Sequence, residues 1–160
     1  MNNTRLYIFA ALCVLAIITF MKWRNSPYQR VMRFMDKSAE IATVTVENNE
    51  ISRRVKASRL QNFIGFELHV DIEGIANNCD LTQEEAIAAW LYVVGRKHYL
   101  TISMDNIELI ESSKQRFTID ADIDIDSSFN KGKYSGIYPV TLELAYIDKK
   151  LRVVSLITRN

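Results

Sequence analysis

The stretch "FTIDADIDIDSSF", residues 117–129, constrains the fold more than any other. Phe117, Ile119, Ala121, Ile123 and Ile125 alternate with Thr118, Asp120, Asp122, Asp124 and Asp126. A period of two belongs to a β-strand, where successive side chains point to opposite faces. The aliphatics therefore share one face and the four carboxylates the other. A strand with one apolar face needs a cover, so the chain must build a sheet with a packed side and a polar side. The aspartates are expected to line a solvent face, with an acidic interaction strip as the alternative. A calcium loop of the EF-hand type needs Gly at its sixth position and Glu at its twelfth. Counted from Asp120 these positions hold Ile125 and Lys131, and counted from Asp122 they hold Ser127 and Lys133. Carboxylates two apart on a strand also sit about 6.6–6.8 Å from one another, too far to share one ion. No metal site is expected.

The rest of the polar part sorts by the same signals. Ser26-Pro27 reads as an N-cap followed by the first helical residue, and Tyr28, Val31, Phe34, Met35, Ala39 and Ala42 follow at helical spacing. A second helix is expected over 50–64, with Gly65 as its C-terminal cap and Arg53, Arg54, Lys56 and Arg59 on its exposed side, a solvated face with docking to anionic headgroups as the alternative. "FELHVDIEG", 66–74, alternates as a strand, with Phe66, Leu68, Val70 and Ile72 inward and Glu67, His69, Asp71 and Glu73 outward. A loop is expected over 75–81. "TQEE", 82–85, is a capping box that opens a third helix to about residue 97, burying Ala86, Ala89, Trp90, Val93 and Val94. Four strands follow, near 98–111, 115–127, 134–148 and 151–159.

The N-terminus is different. Residues 6–21, "LYIFAALCVLAIITFM", run sixteen residues without a charge, and Lys22 and Trp23 follow. With a snorkelling Lys22 and an interfacial Trp23 the helix reaches roughly 27 Å, close to the ~30 Å hydrocarbon core. "TFMKWRNS" holds no small-residue cleavage site, and Leu12 before Cys13 does not fit a lipoprotein box. An uncleaved single-span anchor over 1–25 is expected, followed by one domain over 26–160. Residues 1–59 carry ten Lys/Arg against four Asp/Glu, and residues 60–160 ten against fifteen. A basic part beside an apolar run points to a membrane surface before nucleic acid. The charges after the span favour a cytoplasmic domain, whereas the short leader has the shape of an export signal. The domain is expected to face outward from the cell membrane.

Helices first and an antiparallel meander afterwards make an α+β pattern. The order resembles the NTF2-like superfamily, named for nuclear transport factor 2 and shared by the SnoaL-like cyclases and ketosteroid isomerase. The resemblance is carried by "RLQNFIGFELHVDIEG", 59–74, by "DLTQEEAIAAWLYVVG", 80–95, and by the closing hairpin "YPVTLELAYIDKKLRVVSLI", 138–157. It implies a cone: three helices on a curved antiparallel sheet whose interior holds a ligand in some members. Function varies across such folds and does not transfer with them.

Catalytic signatures are missing. The sequence has no G-x-S-x-G, Walker A loop, G-x-G-x-x-G or H-E-x-x-H. His69 and Asp71 share the outer face of one strand, side by side and without a nucleophile. No cofactor is expected, and two cysteines, Cys13 and Cys79, make neither a disulfide framework nor a zinc cluster. Trp90, Tyr92 and His98 are the candidates for a pocket lining. The expected function is a membrane-anchored, non-enzymatic binding domain of a bacterial-type cell envelope. Its expected partner is a protein or an apolar small molecule in the cone, with a homodimer through the sheet as a further option. Two alternatives remain open here: a SnoaL-like enzyme using the cone, and a scaffold subunit of a secretion-type envelope complex.

Overall fold

The computed structural model describes residues 3–73, 76–129 and 132–159, apart from the side chains of residues 3–11, 14, 17, 76, 97, 98 and 129. The chain divides into two units, Met1–Arg33 and Phe34–Asn160.

The first unit holds helix α1, Asn3–Arg24, and the start of helix α2, Pro27–Ala42. The expected cap is present: Ser26 Oγ accepts from the Gln29 amide at 3.3 Å. The two arginines of α2 in this unit donate to the carbonyls that close α1, Arg33 to Arg24 at 2.7 Å and Arg30 to Asn25 at 2.9 Å. A helix leaves its last four carbonyls without intrahelical partners, and cations suit that end of the dipole. Among the described residues no helix is long and apolar enough to cross a membrane, and much of the sixteen-residue run lies outside the described side chains. Those of α1 that are described, Leu12, Leu15, Ile18, Phe20, Met21 and Trp23, are all exposed. Its hydroxyl at Thr19 is satisfied within the helix, donating to the Leu15 carbonyl at 2.8 Å.

The second unit is an α+β layer pair. After α2 come α3, Glu50–Leu60, a 3₁₀ turn at Gln61–Phe63, then β1, Ile64–Ile72, and β2, Ala76–Thr82. Helix α4, Gln83–Gly95, leads into β3, Lys97–Ser112, β4, Arg116–Phe129, β5, Gly132–Ile147, and β6, Lys150–Thr158. The six strands form one curved sheet in the order β2-β1-β6-β5-β4-β3. The meander β3 to β6 is as expected. The all-antiparallel sheet is not, because β1 pairs with β6 in parallel. The tight turn at Asp148-Lys149 fixes the direction of β6 beside β5, and β1 then joins its free edge.

Three further expectations are corrected. The sequence predicts a loop over 75–81, but Ala76–Thr82 is a strand paired with β1. Its sequence, ANNCDLT, has only Cys79 and Leu81 to pack inward, and a bulge near Asn78, with φ 44°, breaks its alternation. The strand exists because β1 offers it an edge, not because its own pattern demands it. Helix α3 ends at Leu60 instead of 64, and Gly65 lies buried in β1 instead of capping a helix. A Cβ there would meet the Glu67 carbonyl oxygen at 2.9 Å and the Val153 carbonyl oxygen at 3.1 Å, so the close approach of β1 to β6 requires glycine. The alternation predicts Phe66 inside with Leu68, Val70 and Ile72, yet it is exposed. The β1–β6 ladder shifts register between Ile64 and His69, which turns Phe66 to the outer face, where the Arg152 guanidinium lies 5.0 Å from its ring.

The capping box opens α4 as expected. Thr82 Oγ1 accepts from the Glu85 amide at 3.2 Å, and the Glu85 carboxylate accepts from the Thr82 amide at 2.8 Å. These bonds hold the Glu85 carboxyl below its usual range, chiefly through the Thr82 backbone amide and then through its hydroxyl. Of the five residues expected on its buried face, Ala86 and Val94 are buried and Trp90 is half-buried, while Ala89 and Val93 are exposed. The contact of α4 with the sheet is narrower than its all-round apolar sequence implies.

Candidate functional site

Among the described residues, two apolar clusters between helices and sheet flank the site. One joins Leu68, Val70, Ile72 and Ala86, with Tyr138, Val153 and Leu156 packed against them. The other joins Val44, Val94 and Leu100, with Trp90, Ile102 and Ile125. The clusters share no residue. Between them lies a cavity of about 260 Å³ on the concave face of the sheet. Its walls come from β1 (Ile64, Leu68, Ile72), β3 (Ile102, Met104), β4 (Ile123, Ile125), β5 (Tyr138, Val140, Leu142) and β6 (Val153, Leu156). Ser38 and Ala42 of α2, Leu60 of α3 and Phe63 of the 3₁₀ turn close it from the helical side.

The lining is almost wholly hydrocarbon. Its polar side chains are Ser38 and Tyr138. The Ser38 hydroxyl is already donating to the Met35 carbonyl at 2.9 Å. The Tyr138 ring packs beside Gly136, where a Cβ would sit 3.3–3.4 Å from its edge and hydroxyl. No carboxylate or imidazole stands among the described lining residues. A cavity of 150 Å³ lined by Leu, Ile and Phe stays dry and takes benzene, so 260 Å³ of similar wall suits a bicyclic or short-chain hydrocarbon group.

The residues singled out from sequence lie elsewhere. Trp90 donates its indole N–H to the Ala42 carbonyl at 3.2 Å and packs beside the second cluster, outside the cavity lining. Tyr92 is exposed, its ring 3.9 Å from the Arg96 guanidinium. The side chain of His98 lies outside the described residues.

The four aspartates share the outer face of β4, as alternation requires, and each is half-buried. Arg159 spans two of them, at 3.5 Å from Asp120 and 3.0 Å from Asp122. Thr141 donates to Asp120 at 2.7 Å, Asn106 to Asp122 at 2.7 Å, and Tyr99 to Asp126 at 3.3 Å. One guanidinium and three neutral donors thus relieve the like-charge row. Among the described residues no group of His, Cys, Asp or Glu is placed to hold a metal ion.

His69 does have a carboxylate partner, but not Asp71. Its Nδ1 lies 2.8 Å from Asp80 Oδ1, directly across the β1–β2 ladder. Asp71 instead accepts from the Asn78 amide at 3.1 Å. The pairing was unreadable from sequence because β2 itself was. The pair lies on the outer face near Phe66, Glu67 and Val154, away from the cavity.

The fold is shared with solved structures at low sequence identity. The Kfla4162 protein of Kribbella flavida superposes with a TM-score of 0.65 at 12% identity, over 80% of this chain and 86% of that one. An NTF2-like protein of Cytophaga hutchinsonii gives 0.61 at 12% identity, over 84% and 99%. A protein of Novosphingobium aromaticivorans described as a putative scytalone dehydratase gives 0.60 at 11% identity, over 81% and 80%. No family model matches the chain, and no curated protein does. Likeness at these identities concerns the backbone and carries no chemistry.

Proposed function

Starting from an NTF2-like α+β fold, we propose that this chain is a membrane-anchored binding domain that holds an apolar small molecule inside the cone. The observation that carries the proposal is the lining of the 260 Å³ cavity: fourteen of its sixteen side chains are hydrocarbon or thioether, and the Ser38 hydroxyl proton is already donated to the Met35 carbonyl. Ligand sites are typically apolar clefts with a few polar groups that fix orientation. The other polar side chain of the lining, Tyr138, carries its hydroxyl beside Gly136, so the walls suit an almost wholly apolar ligand. A dehydratase or isomerase working by acid–base chemistry needs a carboxylate or imidazole within hydrogen-bond reach of its substrate. The described walls offer neither, which favours binding over the enzyme reading suggested by the Novosphingobium neighbour. The test is thermal unfolding with naphthalene. A ligand specific for the folded state adds about 2.7 kcal/mol at one hundred times its dissociation constant, a rise of several degrees. No rise with naphthalene or its hydroxylated analogue overturns the reading.

The anchor belongs to the same proposal. It is supported by the sixteen-residue uncharged run, by the outward-facing apolar side chains described on α1, and by Lys22 and Trp23 at its end. Removing residues 1–24 should give a soluble, folded domain, and a precipitating product would refute the anchor. We place the domain outside the cytoplasm. A C-terminal alkaline phosphatase fusion is then active and a green fluorescent protein fusion dark, and the reverse pattern contradicts that placement.

A further inference from the structure

Helix α3 carries a surface that the cavity does not use. Ile51 is 74% exposed and Val55 47% exposed, one helical turn apart on the same side. The helix holds Arg53, Arg54, Lys56 and Arg59 against one carboxylate, Glu50. Arg54 and Arg59 are exposed and flank the Ile51–Val55 stripe on either side. Arg54 pairs with Glu50 at 2.7 Å, and Lys56 donates to the Thr43 carbonyl. Among the described residues neither Arg53 nor Arg59 has a carboxylate partner. Arg53 sits at a cleft of about 500 Å³ between α3 and α4, lined also by Glu50, Arg54, Leu91, Val94 and Gly95. Its Nε is buried without a hydrogen-bond partner. Arg53 thus faces α4, on the side of the helix opposite Ile51, and takes no part in the exposed stripe.

Apolar side chains flanked by arginines on an exposed helix match the interfacial pattern, in which the apolar stripe enters the headgroup layer and the cations meet anionic lipid. We propose that α3 docks on the anionic surface of the bilayer that holds the anchor, with Ile51 and Val55 inserted and Arg54 and Arg59 on lipid phosphates. The inference rests on the anchor reading for its proximity and on the charge and exposure of α3 for its specificity. A tethered domain meets the surface at high effective concentration, so weak contacts suffice.

Hydrogen exchange on the full chain in nanodiscs tests it. Discs of phosphatidylcholine alone are compared with discs containing phosphatidylglycerol. Exchange across residues 50–60 should slow in the anionic discs and not in the neutral ones. Each engaged cation multiplies the docked population by roughly fivefold at low salt, so Arg54→Glu with Arg59→Glu removes the slowing. Ile51→Ser with Val55→Ser, which leaves the charges intact, should also weaken it. Equal exchange at 50–60 in the two discs overturns the docking, and so does slowing that survives the charge reversal. Residues 6–21 report the anchor separately: their protection in both discs supports it whatever α3 does, and their exposure refutes it. Slowing at 50–60 without protection at 6–21 keeps the docking and rejects the anchor.

Discussion

Val140 is the residue on which the cavity account is most exposed to test. It is fully buried, on the central strand β5, and its side chain forms part of the wall. Substitution by Phe adds four carbon atoms pointing at the empty space. Apolar space filled with well-packed side-chain atoms is stabilising. At about 0.8 kcal/mol per buried methylene, the four added carbons recover ~3 kcal/mol at most. Forcing a larger ring into a well-packed core costs about 1–3 kcal/mol. The sum for Val140→Phe is therefore between no change and a gain of about 2 kcal/mol, while naphthalene binding falls because the ring takes its place. Denaturant unfolding gives the first quantity and the thermal shift with naphthalene the second. Were the interior already filled, the same substitution would lose about 1–3 kcal/mol by overpacking. That loss, or naphthalene binding that survives it, would refute the reasoning.

Further predictions concern the scaffold. Thr82→Ala removes the N-cap of α4 and should cost about 1 kcal/mol, a fall of roughly 3 °C in thermal melting. The Glu85 carboxyl is held below its usual range, so its contribution is present above about pH 4.3 and is lost as the pH falls through its lowered folded value. Glu85→Gln should accordingly flatten the acid limb of the stability profile. Asp122→Asn loses the Arg159 ion pair and should cost a few tenths to about 1 kcal/mol at low salt, as measured by denaturant unfolding. Asp124→Asn should be neutral or slightly stabilising, and added calcium should leave the melting temperature of the parent and both variants unchanged.

What the sequence revealed and what it hid follow one physical division. β4 was legible because its alternation is complete over ten residues, 117–126, so burial of one face dictates the strand whatever its neighbours do. The caps at Ser26 and Thr82 were legible because a side chain and an amide three residues on settle them locally. β2 was not legible, since its two asparagines and single inward pair make a strand only beside β1. Gly65 looked like a helix cap because glycine serves both αL turns and close backbone approach, and only the position of Val153 distinguishes them. The cavity was hidden most deeply. Its sixteen lining residues come from eight elements, and each reads singly as ordinary core. A void walled by eight elements is a property of how they pack together, which no local pattern records.

The most direct measurement is methyl-resolved NMR of the full chain in nanodiscs during titration with naphthalene. An aromatic ring held in the cone should shift the methyl signals of Ile123, Leu142, Val153 and Leu156, all cavity-lining, to a saturating end point. The methyls of Ile110 and Ile137, exposed on the sheet, should stay in place and serve as the control for partition into lipid. Saturable shifts confined to the lining residues, and absent in Val140→Phe, are the predicted result. Shifts that grow linearly without saturation, or that appear equally at Ile110 and Ile137, would contradict the claim that this fold forms an apolar binding site.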